Sequence, residues 1–209
     1  MLHLSWLLLL TAGAATAGLA ILIAAVVLVF SRAPKLQEQA QAQPEGSLTV
    51  VVPAYNEAAN IGACIGSVLA SAPPCPQWQV LLVDDRSSDD TVAIARRTAE
   101  QAGASPERFA VLDAGERPTG ERWVGKNWAC TRAMEQVDSD WVLFIDADVR
   151  LQPPTLQRAL GQAVADGADL LSLAPRLQCG CLAEWMVQPV MASLLGLGFP
   201  IQAANDPVD

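Results

Sequence analysis

The chain has 209 residues and a mass of 22.1 kDa, with a formal net charge of -9 and a pI near 4.5. This acidic balance excludes a protein that grips a nucleic-acid backbone, which needs a basic face; a single nucleotide needs only a few local donors. The one histidine is His3, so Ser-His-Asp triads, Cys-His pairs and imidazole zinc sites are excluded as well. Acid-base and metal chemistry must come from carboxylates, Lys or Cys.

The mean hydropathy is +0.28, and the apolar excess is concentrated at the start. No Asp, Glu, Lys or Arg occurs from Met1 to Ser31. The stretch from Leu4 to Phe30 gives a helix of about 40 Å at ~1.5 Å per residue, against about 30 Å of bilayer hydrocarbon. A cleaved signal peptide has a basic start and a shorter apolar core. Residues 1–31 therefore read as an uncleaved transmembrane anchor. Arg32 and Lys35 follow it directly, which by the positive-inside rule puts the rest of the chain on the cytoplasmic side of the inner membrane. Residues 32–47 form a polar linker containing QEQAQAQPEGS. The five cysteines (Cys64, Cys75, Cys130, Cys179, Cys181) have no disulfide-framework spacing and read as reduced, mostly packing thiols.

From Leu48 onward, strand and helix patterns alternate. Leu48–Val52 is a short, β-branched, apolar run ending at Pro53, as in a strand buried on both faces. Glu57–Ser71 has helical spacing with Ile61, Ile65 and Val68 on one side. Val80–Val83 is a second strand, and Thr91–Ala102 a helix capped by Asp89 or Asp90 and ended by Gly103. Phe109–Leu112 is a third strand and Lys126–Val137 a helix. Trp141–Ile145 is a fourth strand, Pro154–Ala165 a helix with Pro in its first turn, and Leu170–Leu173 a fifth strand. This alternation predicts an α/β fold, a mostly parallel sheet with helices on both faces. Cys181–Ile201 is apolar with Glu184 as its one charge, interrupted by Pro189, Gly196 and Gly198. It reads as a second membrane span, a helix at the bilayer interface or a core helix of a larger domain; the interruptions argue against a clean span, and the interface is favoured.

In parallel α/β sheets ligands bind at the carboxyl ends of strands. Three strands run into polar clusters there: Pro53-Ala-Tyr55-Asn56-Glu57, Asp84-Asp85-Arg86-Ser87-Ser88 and Asp146-Ala-Asp148. Five carboxylates on one edge need cations or donors to compensate them, and Mg²⁺ or Mn²⁺ takes one or two carboxylates together with substrate phosphates. Arg117, Arg122 and Lys126 lie in a Gly-containing loop that can meet a diphosphate. Trp123 and Trp128 flank Lys126 and either line the cleft or pack; Trp141 is expected in the core.

Val52-Pro-Ala-Tyr-Asn-Glu57, Val83-Asp-Asp-Arg-Ser-Ser-Asp-Asp-Thr91 and Asp146-Ala-Asp148 together resemble the family 2 inverting glycosyltransferases, which have the GT-A fold. Arg86 departs from that pattern, because many relatives carry Gly there. Trp123-Val-Gly-Lys-Asn-Trp-Ala129 and Asn205-Asp-Pro207 resemble the hopene-associated subgroup. The resemblance implies that Pro53, Tyr55 and Glu57, with Asp84 and Asp85, hold the base and ribose of a UDP- or GDP-sugar. It implies that Lys126 sits near the nucleotide or its phosphates. Asp146 and Asp148 would form the Mg²⁺ or Mn²⁺ motif, with Asp148 the stronger candidate for direct ligand and catalytic residue. The implied protein is a membrane-anchored hexosyltransferase acting on a lipid, hopanoid-like or polyprenyl, without nucleic acid. Residues 48–178 would form the nucleotide-sugar domain, and 179–209 an incomplete acceptor region lacking the base that deprotonates the acceptor. A chain of this extent is expected to bind donor and to transfer poorly. Two alternatives are a non-catalytic nucleotide-binding module and a nucleotidyltransferase. The second is disfavoured because Ala54-Tyr55-Asn56-Glu57 stands where a Gly-rich basic loop would be.

Overall fold

The computed structural model describes residues 2–32, 35–37, 44–120, 122–123, 125–176 and 178–199. The chain divides into two compact units, residues 36–173 and residues 1–35 with 174–209.

The 36–173 unit is built on four parallel strands: β1 (Ser47–Ala54), β2 (Gln77–Asp84), β3 (Phe109–Asp113) and β4 (Trp141–Phe144), in the order β3-β2-β1-β4. Between them lie α2 (Ile61–Leu69), α3 (Thr91–Gln101) and α4 (Gly125–Met134), and α5 (Thr155–Ala165) follows β4. The period-2 alternation of the strands sorts the core into two layers. Val50, Val52, Val80 and Leu82 pack with Ile61, Ile65 and Val68 of α2, Ala95 of α3 and Leu156 and Leu160 of α5. Val51, Leu81 and Val83 pack on the other face with Trp128, Ala129 and Ala133 of α4. β1 is thus covered on both sides, which explains its unbroken apolar run.

β1 continues through Pro53 to Ala54 instead of stopping before the proline. Ile145 N–H donates to Val51 O, while Asp85 N–H donates to Ala54 O. By alternation Pro53 faces the β4 side, where strand pairing already ends at Val51. Its missing N–H therefore costs no ladder bond.

Three expectations are revised. Glu57–Asn60 forms a turn, and α2 begins only at Ile61. The α4 helix stops at Met134 instead of Val137. Leu170–Leu173 forms no strand; Leu170 is 87% exposed and the run pairs with none of the four strands. Four apolar residues carry too little periodicity to specify a ladder, and without a partner edge an extended segment stays irregular. Gly103 ends the α3 region with φ +68, a left-handed geometry that glycine adopts without a Cβ clash.

In the other unit, α1 (Leu2–Arg32) and α6 (Leu182–Gly198) contact each other. Within α1, Ser5–Val29 is 25 residues long with mean hydropathy 2.5 and none of it buried, enough by length and composition to cross a bilayer. It is the one such helix among the described residues.

All five cysteines are free, and Cys64 and Cys75 are buried. Burial pushes the Cys64 thiol from 9.0 up to about 12; Arg150 opposes the rise, while Asp148, Asp146 and Glu57 add to it. The folded thiol keeps its proton where the unfolded one loses it. Its contribution to stability is therefore complete below pH 9 and is lost as the pH rises through about 12. At pH 8 the raised value lowers the thiolate fraction about a thousandfold. Alkylation of the folded chain, followed by peptide mass spectrometry from pH 7 to 10, should modify exposed Cys181 rapidly and leave Cys64 unmodified. Equal rates at the two positions would contradict this burial.

Candidate nucleotide-binding site

Because the four strands are parallel, their carboxyl ends share one edge of the sheet. Tyr55–Glu57 follow β1, Asp84 ends β2, Asp113 ends β3, and Asp146 and Asp148 follow β4. The chain progresses from β1 to β3 in one direction and then returns to place β4 on the far side of β1. Ligand crevices in such sheets open where the winding direction reverses, here between the ends of β1 and β4.

The loops after β1 and β2 are laced together. Asn56 N–H donates to Ser87 Oγ (3.0 Å), Ser88 N–H donates to Asn56 Oδ1 (2.8 Å), and Glu57 N–H donates to Thr91 Oγ1 (2.8 Å). Asp84 accepts from Ser87 N–H at 3.2 Å. At the start of α3 Asp89 accepts from the Thr91 N–H (3.0 Å) and hydroxyl, and its other oxygen accepts from Ala58 N–H (3.1 Å). The Thr91 hydroxyl, then the two backbone donors, hold the Asp89 carboxyl below its ordinary range. Asp90 stands at the N-cap position without a side-chain cap bond, and Asp89, one residue earlier, bonds within α3 only the first helical residue, so neither makes the expected N-cap. Asn56 and Arg86 both stand at positive φ, +54 and +64. Arg86 thus occupies a backbone geometry that glycine fits without strain, and its presence there is a local cost.

Asp85 is 6% exposed and pairs with Arg117. Gly125, the first residue of α4, packs against that pair: a Cβ there would stand 3.1 Å from Arg117 Nη2 and 3.3 Å from Asp85 Oδ2. A Cβ there would have to push the Arg117 and Asp85 side chains back by a few tenths of an ångström. Tyr55, Asp85, Arg86, Gly115, Glu116 and Arg117 line a cleft of about 590 Å³, with Arg86 and Glu116 3.6 Å apart. A second recess of about 460 Å³ opens at the amino-terminal edge, near Leu48, Gln77 and Arg108, away from these strand-end carboxylates.

At the end of β4, Asp146 and Asp148 are both exposed, and Lys126 Nζ pairs with Asp146. Arg150 donates to the backbone oxygen of Asp148 (2.9 Å) and to Asn60 Oδ1 (3.4 Å), while Asn60 Nδ2 donates to Glu57 Oε2 (3.0 Å). This chain of contacts ties the β1 end to the β4 end. Among the described residues no three His, Cys, Asp or Glu side chains converge as a ready-made metal cage. The exposed Asp146 and Asp148 carboxylates fit a hard divalent cation only with further oxygens from water or a bound diphosphate, the arrangement Mg²⁺ and Mn²⁺ accept.

The sheet thus carries Pro53, Tyr55, Glu57, Asp84, Asp85, Asp146 and Asp148 to one edge, and α4 brings Lys126 to Asp146. Trp123 and Trp128 pack edge to face, with centroids 5.2 Å apart, in the layer under α4, and Trp128 Nε1 donates to Gly115 O (3.3 Å). Trp141 packs against the opposite core, as expected. The sequence did not single out Asn60 and Arg150. Their one signal was closeness to Glu57 and Asp148. Val124 and Asn205-Asp206-Pro207 lie outside the described residues.

Comparison with known proteins agrees with this architecture. A 4,4'-diaponeurosporenoate glycosyltransferase of Staphylococcus aureus (strain bovine RF122 / ET3-1) is 29% identical over 150 residues, 71% of this chain and 36% of that protein. A mannosyltransferase from Pyrobaculum calidifontis, solved in complex with GDP-Man and Mn²⁺, aligns with a TM-score of 0.52 at 26% identity, over 71% of this chain and 43% of that one. The chain therefore spans about a third of the length of that curated relative. The profile described as Glycosyl transferase family 2 matches residues 49–202. By that match, which covers most of its length, the chain belongs to glycosyl transferase family 2.

Proposed function

We propose that the strand-end edge binds a nucleotide-diphospho-sugar together with Mg²⁺ or Mn²⁺, and that the protein transfers the sugar, by inverting displacement, to an apolar lipid acceptor. The observation that carries this reading is that one edge of the parallel sheet holds both a 590 Å³ cleft lined by Tyr55, Asp85 and two arginines and, after β4, the exposed Asp146 and Asp148 carboxylates. The mannosyltransferase bound to GDP-Man and Mn²⁺ supports a donor of this class. The diaponeurosporenoate enzyme supports a carotenoid-like acceptor, hopanoid or polyprenyl lipids being others of the same character. The apolar helix α1 supports a membrane-anchored protein, and Arg32 and Lys35 after it support a cytoplasmic site.

In this reading Tyr55 stacks on the base, while Asp84 and Asp85 accept hydrogen bonds from base and ribose. Binding releases Arg117 from Asp85 toward the diphosphate. Lys126, on the first turn of α4, neutralises phosphate charge next to Asp146. Asp146 and Asp148 would hold the cation, which when bound supplies Lewis-acid stabilisation of charge on the departing phosphate. The bond from the anomeric carbon to the phosphate oxygen breaks as the acceptor oxygen bonds to that carbon. The acceptor's proton passes to a base, while the five strand-end carboxylates stay with the donor.

Calorimetry with UDP and GDP, with and without Mn²⁺, tests the site. Asp148→Asn should abolish the gain in affinity that Mn²⁺ confers while circular dichroism stays unchanged. Unchanged affinity in a folded variant would reduce the pair to a solvated turn. Asp84→Ala and Asp85→Ala should weaken binding even without metal. A hydrogen bond to a charged group is worth about 1.5–3 kcal/mol, which is a loss of about 10- to 150-fold. A loss confined to samples with metal would assign these two carboxylates to the cation instead.

A further inference from the structure

Helix α6 belongs to the unit of residues 1–35 and 174–209, and its surface is at odds with water. Trp185, Met186, Val187, Val190, Leu194 and Leu195 are each more than half exposed. At about 100° per residue they point around the whole circumference, with no polar face. From Trp185 to Phe199 the sequence has no charged residue. Glu184, in the first turn, accepts from Gly180 N–H (2.6 Å) at the helix start. Ser193 Oγ donates to Pro189 O (2.6 Å) within the helix. Internal satisfaction of polar groups is what hydrocarbon surroundings demand. The helix contacts α1 within one compact unit, and α1 carries a continuous apolar run, none of it buried. Two apolar, exposed helices thus lie in contact within one unit.

We infer that α6 is embedded in the lipid bilayer beside α1. Its 17 residues reach about 25 Å at ~1.5 Å per residue, short of the ~30 Å hydrocarbon core. Pro189 interrupts its hydrogen-bond ladder midway. It therefore inserts without spanning and keeps its first turn, with Glu184, at the headgroup level. The partner is a lipid surface, recognised by apolar area alone. This goes beyond the proposed function, which needs only α1 as an anchor.

The test uses the full chain reconstituted in vesicles of phosphatidylcholine with a minority of phosphatidylglycerol. A trace of phosphatidylcholine carries a photoactivatable diazirine on its acyl chain. After illumination and proteolysis, the peptide holding 182–199 should carry label per residue comparable to that on α1. Val190→Asp combined with Leu194→Asp should lower the α6 label about tenfold or more, because each carboxylate opposes insertion, and leave the α1 label unchanged. Label confined to α1 overturns the inference, whether a second copy or further polypeptide covers α6. UDP binding with Mn²⁺ in the same vesicles keeps the two proposals separate. Lost α6 labelling with intact binding defeats this inference alone, and labelled α6 without binding defeats the donor-site reading alone.

Discussion

A parallel sheet gathers whatever follows its strands onto one edge, and here it gathers carboxylates. Two unit charges about 4 Å apart interact by roughly 4 kcal/mol at an effective dielectric near 20, so such an edge forms more readily where charges find compensating groups or stay open to water. The structure does this individually. Asp85 takes Arg117, Asp146 takes Lys126, Asp84 takes the Ser87 amide, Glu57 takes the Asn60 amide, and Arg150 sits at the Asp148 backbone. The partners come from a loop, a helix and two turns. Neutralising the edge therefore also fastens the connecting segments to the sheet. Two of these carboxylates, Asp85 and Asp146, stand in ion pairs, and a ligand that engages them would have to exchange those partners.

This pairing bears on specificity. Arg117 and Arg86 reach the cleft from different directions, one from the segment after β3 and the other from a strained position after β2. The strain at Arg86 is held by the Asn56–Ser87–Ser88 hydrogen bonds around it. A glycine there would relieve the backbone and remove one of the cleft's two guanidinium groups. The close approach of Gly125 works differently, because it lets the start of α4 press against the Asp85–Arg117 pair. Lys126 is the next residue, so a displacement at Asp85 bears directly on the helix turn that presents Lys126 to Asp146.

The sequence showed the sheet well, because β1 and β2 are continuous apolar runs that only two-sided burial explains. It placed the strand-end motifs by the same logic, since a parallel sheet leaves no other edge for them. It misread Leu170–Leu173, where four apolar residues look like a strand and only a missing partner reveals that they are not. It left Trp123 and Trp128 open, because an aromatic in a Gly-containing stretch reads equally as cleft wall or packing. It had no access to the Glu57–Asn60–Arg150 contacts. Arg150 and Asn60 are 90 positions apart, and no local pattern encodes such a separation.

The strand order sets an order of events during synthesis. β1 pairs with β2 across a connection that α2 fills, so half of its hydrogen-bonding edge is satisfied early. Its other edge waits for β4, which begins at Trp141. Until that segment emerges from the ribosome, Val50 to Val52 present an open strand edge flanked by apolar faces, the kind of surface that recruits other strands. Long-range parallel pairing is slow to close. The strand that ends in Asp146 and Asp148 is therefore also the stitch that completes the sheet, and substitutions that slow the docking of β4 should appear first as poor yield and aggregation of nascent chains, before any loss at the strand-end edge.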